Sequence, residues 1–315
     1  MEASLNLVVI DRENSWHVAD LKRAAGGKHS IVAVSYETVA ATICNGLLES
    51  DLQIGGVDVG EVDCIMPRAM PASSLQQVVF RMDWLLQVQQ QFGTLVINPA
   101  KTVEASVDKY LSLELLRRDG IPVPRTLVSQ NVETALEHFD QLNGDSVVKP
   151  LFGSGGRRIV RLCDREHATL HFKNAVDSQE VIYQQEYIEH GDSDLRLLTI
   201  GDDVVGMRRH LAGEWVTNAQ RGADCSAHVP NDNEKQLALN SAGAVGALVS
   251  GVDLVYRSDG EPFVVEINSC PSWKVTSQAT RTDVSAKILV LIESELARRS
   301  GNGVLPNRTT EFHFR

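Results

Sequence analysis

One stretch constrains the fold more than any other: GVDLVYRSDGEPFVVEIN, from Gly251 to Asn268, which predicts a β-hairpin. Apolar residues recur at alternate positions up to Tyr256, Ser258-Asp259-Gly260 is typical of a turn, and the return strand runs from Phe263 to Ile267. The turn makes the two strands antiparallel neighbours, so side chains from separate parts of the stretch can share one face.

Three residues of this hairpin carry oxygen atoms of the kind that bind hard cations. Glu266 and Asn268 are two positions apart on one strand and point to the same face, and antiparallel pairing can bring Asp253 alongside them. Two carboxylates and an amide suit Mg²⁺, which takes a few protein oxygens and keeps waters or phosphates as its other ligands. An ordinary edge hairpin with solvated acidic residues is the alternative, because short acidic patterns recur by chance.

Bulk properties exclude several classes of protein. The chain has 315 residues, enough for two or three units of ~100–200 residues each. Its formal charge of −11, without a basic stripe, argues against nucleic-acid binding. The cysteines are odd in number and scattered, which predicts reduced thiols and a cytoplasmic location. Neither a secretory signal nor an apolar run of ~18 residues is present, so no membrane partner is expected.

The first hundred residues predict a small α/β unit with a parallel sheet, because short apolar strands alternate with helical patterns. The expected strands are Leu5–Ile10, Ile31–Val34, Val62–Met66 and Leu95–Ile97, and the expected helices are Thr38–Leu48 and Ser73–Phe92. Ser73 or Ser74 is a candidate cap for the longer helix, and Gly93 ends it. No glycine-rich dinucleotide fingerprint follows the first strand, which argues against a nicotinamide cofactor.

A glycine-rich loop lies near the middle of the chain. Ser146–Pro150 predicts a strand that carries Lys149 near its end, LFGSGGRR follows at 151–158, and a strand resumes over Arg158–Leu162. The loop joins two strands, whereas a P-loop joins a strand to a helix and holds its lysine inside the loop. Its glycines and serine let backbone N–H groups approach a polyphosphate, and a plain hairpin turn is the alternative.

Several further elements carry polar residues at defined places. We expect helices over Val107–Arg118, Asn231–Val249 and Val284–Arg299, strands over 181–188, 192–199 and 204–209, a polar loop over 213–223 and a flexible tail over 301–315. Lys109 lies at the start of the first helix, where a solvated surface lysine is the alternative. Asp194 and Arg196 are two apart on a strand and share a face. Asn218 and Arg221 could reach a phosphate or carboxylate from the polar loop.

The order of these features resembles the ATP-grasp superfamily, and within it the RimK-like branch of α-L-glutamate ligases. The motifs that carry the resemblance are Lys109-Tyr110-Leu111-Ser112-Leu113, Gly120-Ile121-Pro122-Val123-Pro124, Val148-Lys149, Gln185-Glu186-Tyr187-Ile188, Asp194-Leu195-Arg196, Asn218 with Arg221-Gly222, Gly251-Val252-Asp253 and Val265-Glu266-Ile267-Asn268. The resemblance implies an α/β fold in which ATP is sandwiched between two lobes with antiparallel sheets. It divides the chain into an N-terminal parallel α/β domain over 1–100, a central lobe over 101–183 and a C-terminal lobe over 184–300.

The resemblance also implies a role for each matching residue. The lysines and the loop that would contact the ATP phosphates are Lys109, Lys149, Gly153, Ser154, Gly155 and Gly156. The other nucleotide-binding residues it implies are Glu186, Tyr187 and Ile188 at adenine, Asp194 at the ribose, Arg196 and Asn218. The magnesium ligands it implies are Asp253, Glu266 and Asn268. Arg221 and Lys149 match the catalytic residues that steady the transferred phosphoryl group.

The sequence departs from this branch just after the metal-binding motif. Relatives commonly read Asn-x-Ser-Pro-Gly, whereas this chain reads Asn268-Ser269-Cys270-Pro271-Ser272-Trp273. The loss of this glycine alters a loop near the acceptor, so the identity of the acceptor stays open. The residues implied for ATP binding and phosphoryl transfer are not affected. A nucleophilic role for Cys270 is disfavoured, because the sequence places no activating histidine beside it.

The function that the resemblance implies is ATP-dependent ligation of a carboxylate to an amine through an acyl phosphate. We expect ATP and Mg²⁺ (or Mn²⁺) as cofactors, L-glutamate as the amine donor, a coenzyme or peptide carboxylate as the acceptor, and a homo-oligomer. An ATP-binding protein with a regulatory or scaffold role is one alternative, and a ligase for a different amino acid is another. Arg68, at a strand end, is a candidate ligand for an acceptor carboxylate, and a plain surface arginine explains it equally well.

Overall fold

The structure is a computed structural model that describes residues 4–301 apart from 45–50, 69, 72 and 154. Its first part contains β1 (Asn6–Ile10), α1 (Trp16–Ala25), β2 (Ser30–Val34), β3 (Val39–Thr42), β4 (Asp51–Ile54), β5 (Val57–Asp58), β6 (Cys64–Pro67), α2 (Leu75–Phe92), β7 (Leu95–Val96) and α3 (Ala100–Val107). A parallel sheet in the order β2-β1-β6-β7 forms its centre, as predicted. The strands β3, β4 and β5 form a separate small antiparallel sheet.

The long helix α2 begins and ends where its local sequence directs. Ser74 caps the first turn, and its side chain and that of Gln77 satisfy each other's backbone N–H groups. Gly93 ends the helix in the left-handed conformation, at φ +63°, which costs glycine little.

The predicted helix over Thr38–Leu48 is wrong in its described part. Residues 36–38 form a 3-10 turn and β3 then pairs antiparallel with β4, so the backbone hydrogen bonds run between strands. Ile43, whose helical spacing from Val39 suggested a buried stripe, is 88% exposed. The remainder of the predicted helix, from residue 45, lies outside the described residues.

The second part forms an antiparallel sheet with two helices against it. Its elements are α4 (Lys109–Arg118), β8 (Thr126–Ser129), α5 (Val132–Gln141), β9 (Ser146–Lys149), β10 (Val160–Leu162), α6 (Arg165–Asp177) and β11 (Ile182–Glu186). The strand order is β10-β9-β11-β8. Its small core contains Phe139 and Phe172 from the two helices and Val148 and Ile182 from the sheet. The helix expected from Val107 begins at Lys109, because Asp108 caps it while Val107 ends α3.

The third part forms a second antiparallel sheet, in the order β14-β13-β12-β15-β16. Its elements are β12 (Ser193–Ile200), β13 (Asp203–His210), β14 (Asp224–His228), α7 (Asp232–Val245), β15 (Val249–Tyr256), β16 (Pro262–Asn268), α8 (Lys274–Thr280) and α9 (Val284–Gly301). The predicted hairpin is confirmed as β15 and β16, with Asp253 opposite Glu266 in the register. Helix α7 stops four residues before the predicted end, because Gly246 turns left-handed.

One hydrophobic core joins the beginning and the end of the described chain. Leu7 and Val9 of β1 belong to the same buried cluster as Ile288 and Ile292 of α9, and α1 packs against α9. The domain boundaries placed at residues 100 and 183 stay predictions, and the flexible tail predicted from residue 301 lies outside the described residues after its first position. Among the described residues, the structure contains no helix with both the length and the hydropathy of a membrane span.

Candidate active site

A cleft lies between the second and third parts of the chain, with about 610 Å³ of empty space that includes its open mouth. One wall comes from β9 and β11, and the other comes from β12, β13, β15 and β16. The predicted site residues that line it are Lys149, Glu186, Tyr187, Ile188, Asp194, Asn218, Asp253 and Glu266. Lys109, Arg196, Arg221, Asn268 and the loop glycines are not among its lining residues. The structure thus brings half of the predicted set together in the cleft, while the role of each residue stays a prediction.

The segment 186–188 connects the two sheets at one end of the cleft. The Glu186 carboxylate accepts a hydrogen bond from the backbone N–H of Arg125 at 2.7 Å, and the Glu186 backbone N–H donates to the Arg125 carbonyl at 2.8 Å. Tyr187 contacts Trp215 edge-to-face, with ring centroids 5.7 Å apart. The Arg161 guanidinium covers one face of the Tyr187 ring, with Cζ 3.4 Å from its centroid. Trp215, which also lines the cleft, offers flat apolar surface of the kind on which a heterocyclic base packs.

Sequence reasoning missed two polar or aromatic residues at this end of the cleft. Trp215 lines the cleft beside Tyr187, and a tryptophan in a predicted loop gave no reason to choose it. Thr217 also lines the cleft, is 2% exposed, and its hydroxyl has no hydrogen-bond partner among the described residues. A buried hydroxyl without a partner marks a place where a ligand atom or water would bind.

Lys149 lies at the end of β9 and extends its ammonium group into the cleft. Its Nζ donates to the Gln185 side-chain oxygen at 2.7 Å. Burial lowers the pKa of Lys149 to about 8, and the nearby Glu266 carboxylate opposes the shift. The ammonium therefore loses its proton more readily than that of an exposed lysine, although it stays mostly protonated at pH 7.

Lys109 acts on the glycine-rich loop and does not line the cleft. Its Nζ donates to the Gly153 carbonyl at 2.8 Å, and its backbone N–H donates to the Leu151 carbonyl at 3.3 Å. The start of α4 is thus tied to the start of the loop. Asp108 fixes this end of the helix, because its carboxylate accepts from the N–H groups of Tyr110 and Leu111.

The glycine-rich loop reaches across to the third part of the chain. Gly155 and Gly156 have φ values of +74° and +68°, which few other residues adopt. A Cβ atom on Gly156 would lie 2.3 Å from the Asn218 side-chain oxygen, so a larger residue here would have to move Asn218 as well as adopt a positive φ. Ser154, predicted to contact the nucleotide, lies outside the described residues.

Asp253 is part of a buried network of two aspartates and two arginines. The Arg196 guanidinium binds both carboxylate oxygens of Asp253, and Arg209 Nη2 lies 3.0 Å from one of them. Arg209 also binds both oxygens of Asp194 at 2.6 Å. Burial alone would raise the pKa of Asp253, but the two arginines outweigh it and hold the pKa below its ordinary value.

The hairpin places the proposed metal ligands on one face. Asp253 is opposite Glu266 and Gly251 is opposite Asn268, so the three oxygen-bearing side chains are neighbours on the sheet. Glu266 is half-buried and forms no ion pair with a described residue. Within the described part of the chain, no cluster of three His, Cys, Asp or Glu side chains could hold a metal. Two carboxylates and one amide nevertheless fit Mg²⁺, which also takes phosphate oxygens and water.

Arg221 lies outside the cleft in this structure. It ends the 3-10 turn Ala219–Arg221, is exposed, and forms no ion pair with a described residue. Asn218 begins the same turn and does line the cleft. Arg209, which sequence reasoning did not select, occupies the cleft wall with Asp253 and supplies the buried positive charge there.

The architecture matches solved ATP-grasp enzymes. The ATP-grasp ligase PsnB, in complex with a phosphomimetic variant of its minimal precursor, Mg and ADP, has a TM-score of 0.69 to this chain at 19% identity, over 93% of this chain and 99% of that chain. A likeness at this identity establishes the fold: two antiparallel sheets enclose a cleft, and the protein has the ATP-grasp fold, as the sequence predicted.

The family follows from the sequence itself. The RimK-like ATP-grasp domain matches residues 106–292, and the chain belongs to this family. A tetrahydromethanopterin:alpha-L-glutamate ligase of Methanosarcina acetivorans is 28% identical over 77% of this chain and 83% of that protein. An enzyme of the same name from Methanococcus maripaludis is 32% identical over 62% of this chain and 68% of that protein. The predicted resemblance is confirmed, and the chain is an ATP-dependent ligase of this family.

Proposed function

We propose that the protein joins the amino group of L-glutamate to a carboxylate acceptor, at the expense of ATP. One observation carries this proposal: Lys149, Asp253 and Glu266, far apart in the sequence, line a single cleft between two antiparallel sheets. A cationic side chain facing two carboxylates suits a magnesium-bound triphosphate. The similarity to α-L-glutamate ligases supports glutamate as the amine donor.

The nucleotide would lie along the cleft with its base against the segment 186–188. Trp215 supplies flat apolar surface there, and the unpartnered Thr217 hydroxyl supplies a polar contact. The triphosphate would then extend toward Lys149. Lys109 would contribute by holding the start of the glycine-rich loop, whose backbone N–H groups would face the phosphates.

Asp253, Glu266 and Asn268 would hold Mg²⁺. Asp253 is already neutralised by Arg196 and Arg209, whereas Glu266 has no such partner among the described residues, so we assign Glu266 the leading share of the metal contact. When bound, the metal supplies positive charge to the phosphate oxygens and so reduces repulsion of the incoming carboxylate.

The proposed reaction has two steps. An acceptor carboxylate oxygen attacks the γ-phosphorus, the bond to the bridging oxygen of ADP breaks, and an acyl phosphate forms. The amine of glutamate then attacks the carbonyl carbon, loses a proton, and displaces phosphate to give the amide. Phosphoryl transfer asks mainly for alignment and charge neutralisation, which Lys149 and, after loop movement, Arg221 would supply.

The test is a coupled assay of ADP release with Mg·ATP, a panel of amino acids and two kinds of acceptor. The acceptors are a peptide ending in glutamate and a pterin with a glutamyl side chain. We expect ADP release that requires both L-glutamate and one acceptor, with the acceptor gaining the mass of one glutamyl residue. Release with another amino acid would assign a different donor, and nucleotide binding without turnover on the whole panel would favour a binding protein.

A further inference from the structure

Two buried arginines that do not line the cleft lie at the carboxyl edge of the parallel sheet. Arg68 follows β6 and is 6% exposed, and Arg81 of α2 is 5% exposed. Neither forms an ion pair with any carboxylate among the described residues. Because a buried charge without a counterion is costly, proteins pair such groups or supply a ligand.

The chain path marks this edge as a binding crevice. The chain runs from β1 to β2 on one side and later to β6 on the other, so the strand order reverses between β1 and β6. In open parallel sheets, ligands bind at the carboxyl ends of the strands at such a reversal. Arg68 lies there, since its backbone N–H donates to the carbonyl of Ile10, the last residue of β1.

The Arg68 guanidinium is held in place and keeps one hydrogen-bond donor without a partner among the described residues. It stacks over the Trp273 ring, with Cζ 4.3 Å from the centroid, and Nη2 donates to the Pro271 carbonyl at 2.8 Å. Its Nε–H is buried and has no partner among the described residues. Burial lowers the pKa of Arg68, and the neighbouring Cys270 and Asp11 oppose that shift. The Asp11 carboxylate is engaged elsewhere, because it accepts from the Ser15 hydroxyl at 2.7 Å.

The second buried arginine, Arg81 on α2, is held beside the end of β2. Its guanidinium lies over the ring of Tyr36, 5.2 Å from the centroid, and donates to the Ser73 hydroxyl. The Tyr36 hydroxyl is buried and has no partner among the described residues. Tyr36 follows the end of β2 and Arg68 follows β6, so the two unpartnered donors lie at strand ends on either side of β1. Cys270 connects them, because its thiol donates to the Pro67 carbonyl at 3.5 Å and it packs against the cluster that contains Tyr36. We call Tyr36, Arg68 and Arg81 the strand-end site.

The strand-end site is close to the proposed metal ligands through one short loop. Pro271, which holds Arg68, follows Asn268 by three residues, and three residues span at most about 11 Å. We propose that the strand-end site binds a second carboxylate of a ligation substrate, one that does not react, so that a dicarboxylate is selected. The fork of guanidinium donors suits this group. This inference rests on the proposed ligase function.

The experiment measures binding and needs no turnover. Isothermal titration of the protein, saturated with Mg²⁺ and a non-hydrolysable ATP analogue, would use L-glutamate and its two monoamides as donor probes. N-acetyl-L-glutamate and its monoamides would serve as acceptor probes. We expect wild type to prefer one diacid over one of its amides, and R68M to bind that diacid roughly tenfold or more weakly while its affinity for the amide is unchanged.

The pattern of losses separates the outcomes. A loss confined to the donor probes or to the acceptor probes identifies which substrate carries the second carboxylate. No acid preference in wild type, or equal weakening of acid and amide in R68M, would overturn the proposal, because a purely structural arginine predicts the latter. R117M is the matched control, since Arg117 is exposed on α4.

Two safeguards keep the test decisive. If R68M loses nucleotide affinity or its melting temperature falls sharply, R81M is judged by the same ratio of acid to amide affinity. If the protein prefers the diacid but never releases ADP, the result contradicts the ligase function and supports the strand-end site. If the protein ligates but neither arginine variant changes the ratio of acid to amide affinity, the result contradicts the strand-end site and supports the ligase function.

Discussion

Lys149 should make nucleotide binding depend on pH in a way that a surface lysine would not. Burial lowers its pKa from 10.5 to about 8 in the protein without ligand. About nine-tenths of the free protein then carries the proton at pH 7, and about one-tenth at pH 9. If the triphosphate binds the protonated form, affinity for Mg·ATP falls about tenfold between these pH values, or about 1.4 kcal/mol.

The stability of the protein without nucleotide should change with pH in the opposite direction to nucleotide affinity. The pKa of Lys149 is lower in the folded protein than in the unfolded chain, so the folded state binds fewer protons between pH 8 and 10.5. Unfolding free energy without nucleotide should therefore gain from Lys149 as pH rises through this window. The charged form of Lys149 is therefore the costly form in the protein without nucleotide, and it is the form that would bind the triphosphate.

The assay is isothermal titration with Mg·ATP from pH 7 to 9, without an acceptor, in buffers of differing ionisation enthalpy that report proton uptake. K149R keeps its charge at every pH in this range, so its affinity should stay nearly constant. K149M should bind weakly at pH 7 and show no decline above it. A wild-type affinity that is flat over this range, or a K149M profile that falls as steeply as wild type, would refute the assignment of Lys149 to the phosphates.

Three further changes test other parts of the site. E266Q should lower ADP release at least about 100-fold with an unchanged melting temperature, and near-normal release would count against the metal assignment. G156A places a Cβ atom 2.3 Å from the Asn218 side-chain oxygen on a residue with φ +68°. It should therefore raise the KM for ATP and lower the free energy of unfolding in urea by about 1 kcal/mol or more. An unchanged KM would mean that the loop does not contact the nucleotide. R209M removes one of the two arginines that pair with the buried Asp253, so it should lower the free energy of unfolding by about 3–5 kcal/mol. R117M, at an exposed ion pair, should change the free energy of unfolding by no more than about 0.5 kcal/mol. Equal effects in the two variants would contradict a buried network.

The hairpin could be predicted because its information is local. The turn residues Ser258-Asp259-Gly260 predict the hairpin, and the period of two decides that Glu266 and Asn268 share a face. The turn alone does not set the pairing at the site, because the register shifts between Asp253 and Leu254, and this shift brings Asp253 opposite Glu266. The long helix α2 was predictable for a similar reason, since its cap and its terminal glycine flank the apolar pattern. These signals act within a few residues and need no knowledge of the tertiary fold.

The errors arise where distant pairing decides the structure. Residues 39–42 have helical spacing, yet a neighbouring strand satisfies their backbone groups. Arg209 was missed because its importance depends on its pairing opposite Asp194 across two strands. Trp215 was missed because a loop carries no period, so nothing in the sequence indicates that it faces Tyr187.

The shared core of β1, α1 and α9 has a consequence for synthesis of the chain. Leu7 and Val9 are made first, yet Ile288 and Ile292, which help to cover them, are made about 280 residues later. At 5–20 residues per second, the ribosome needs about 15 to 60 s to deliver these partners. During that interval the apolar face of the nascent sheet lacks these partners, so holdase chaperones should engage the amino-terminal segment until translation reaches α9.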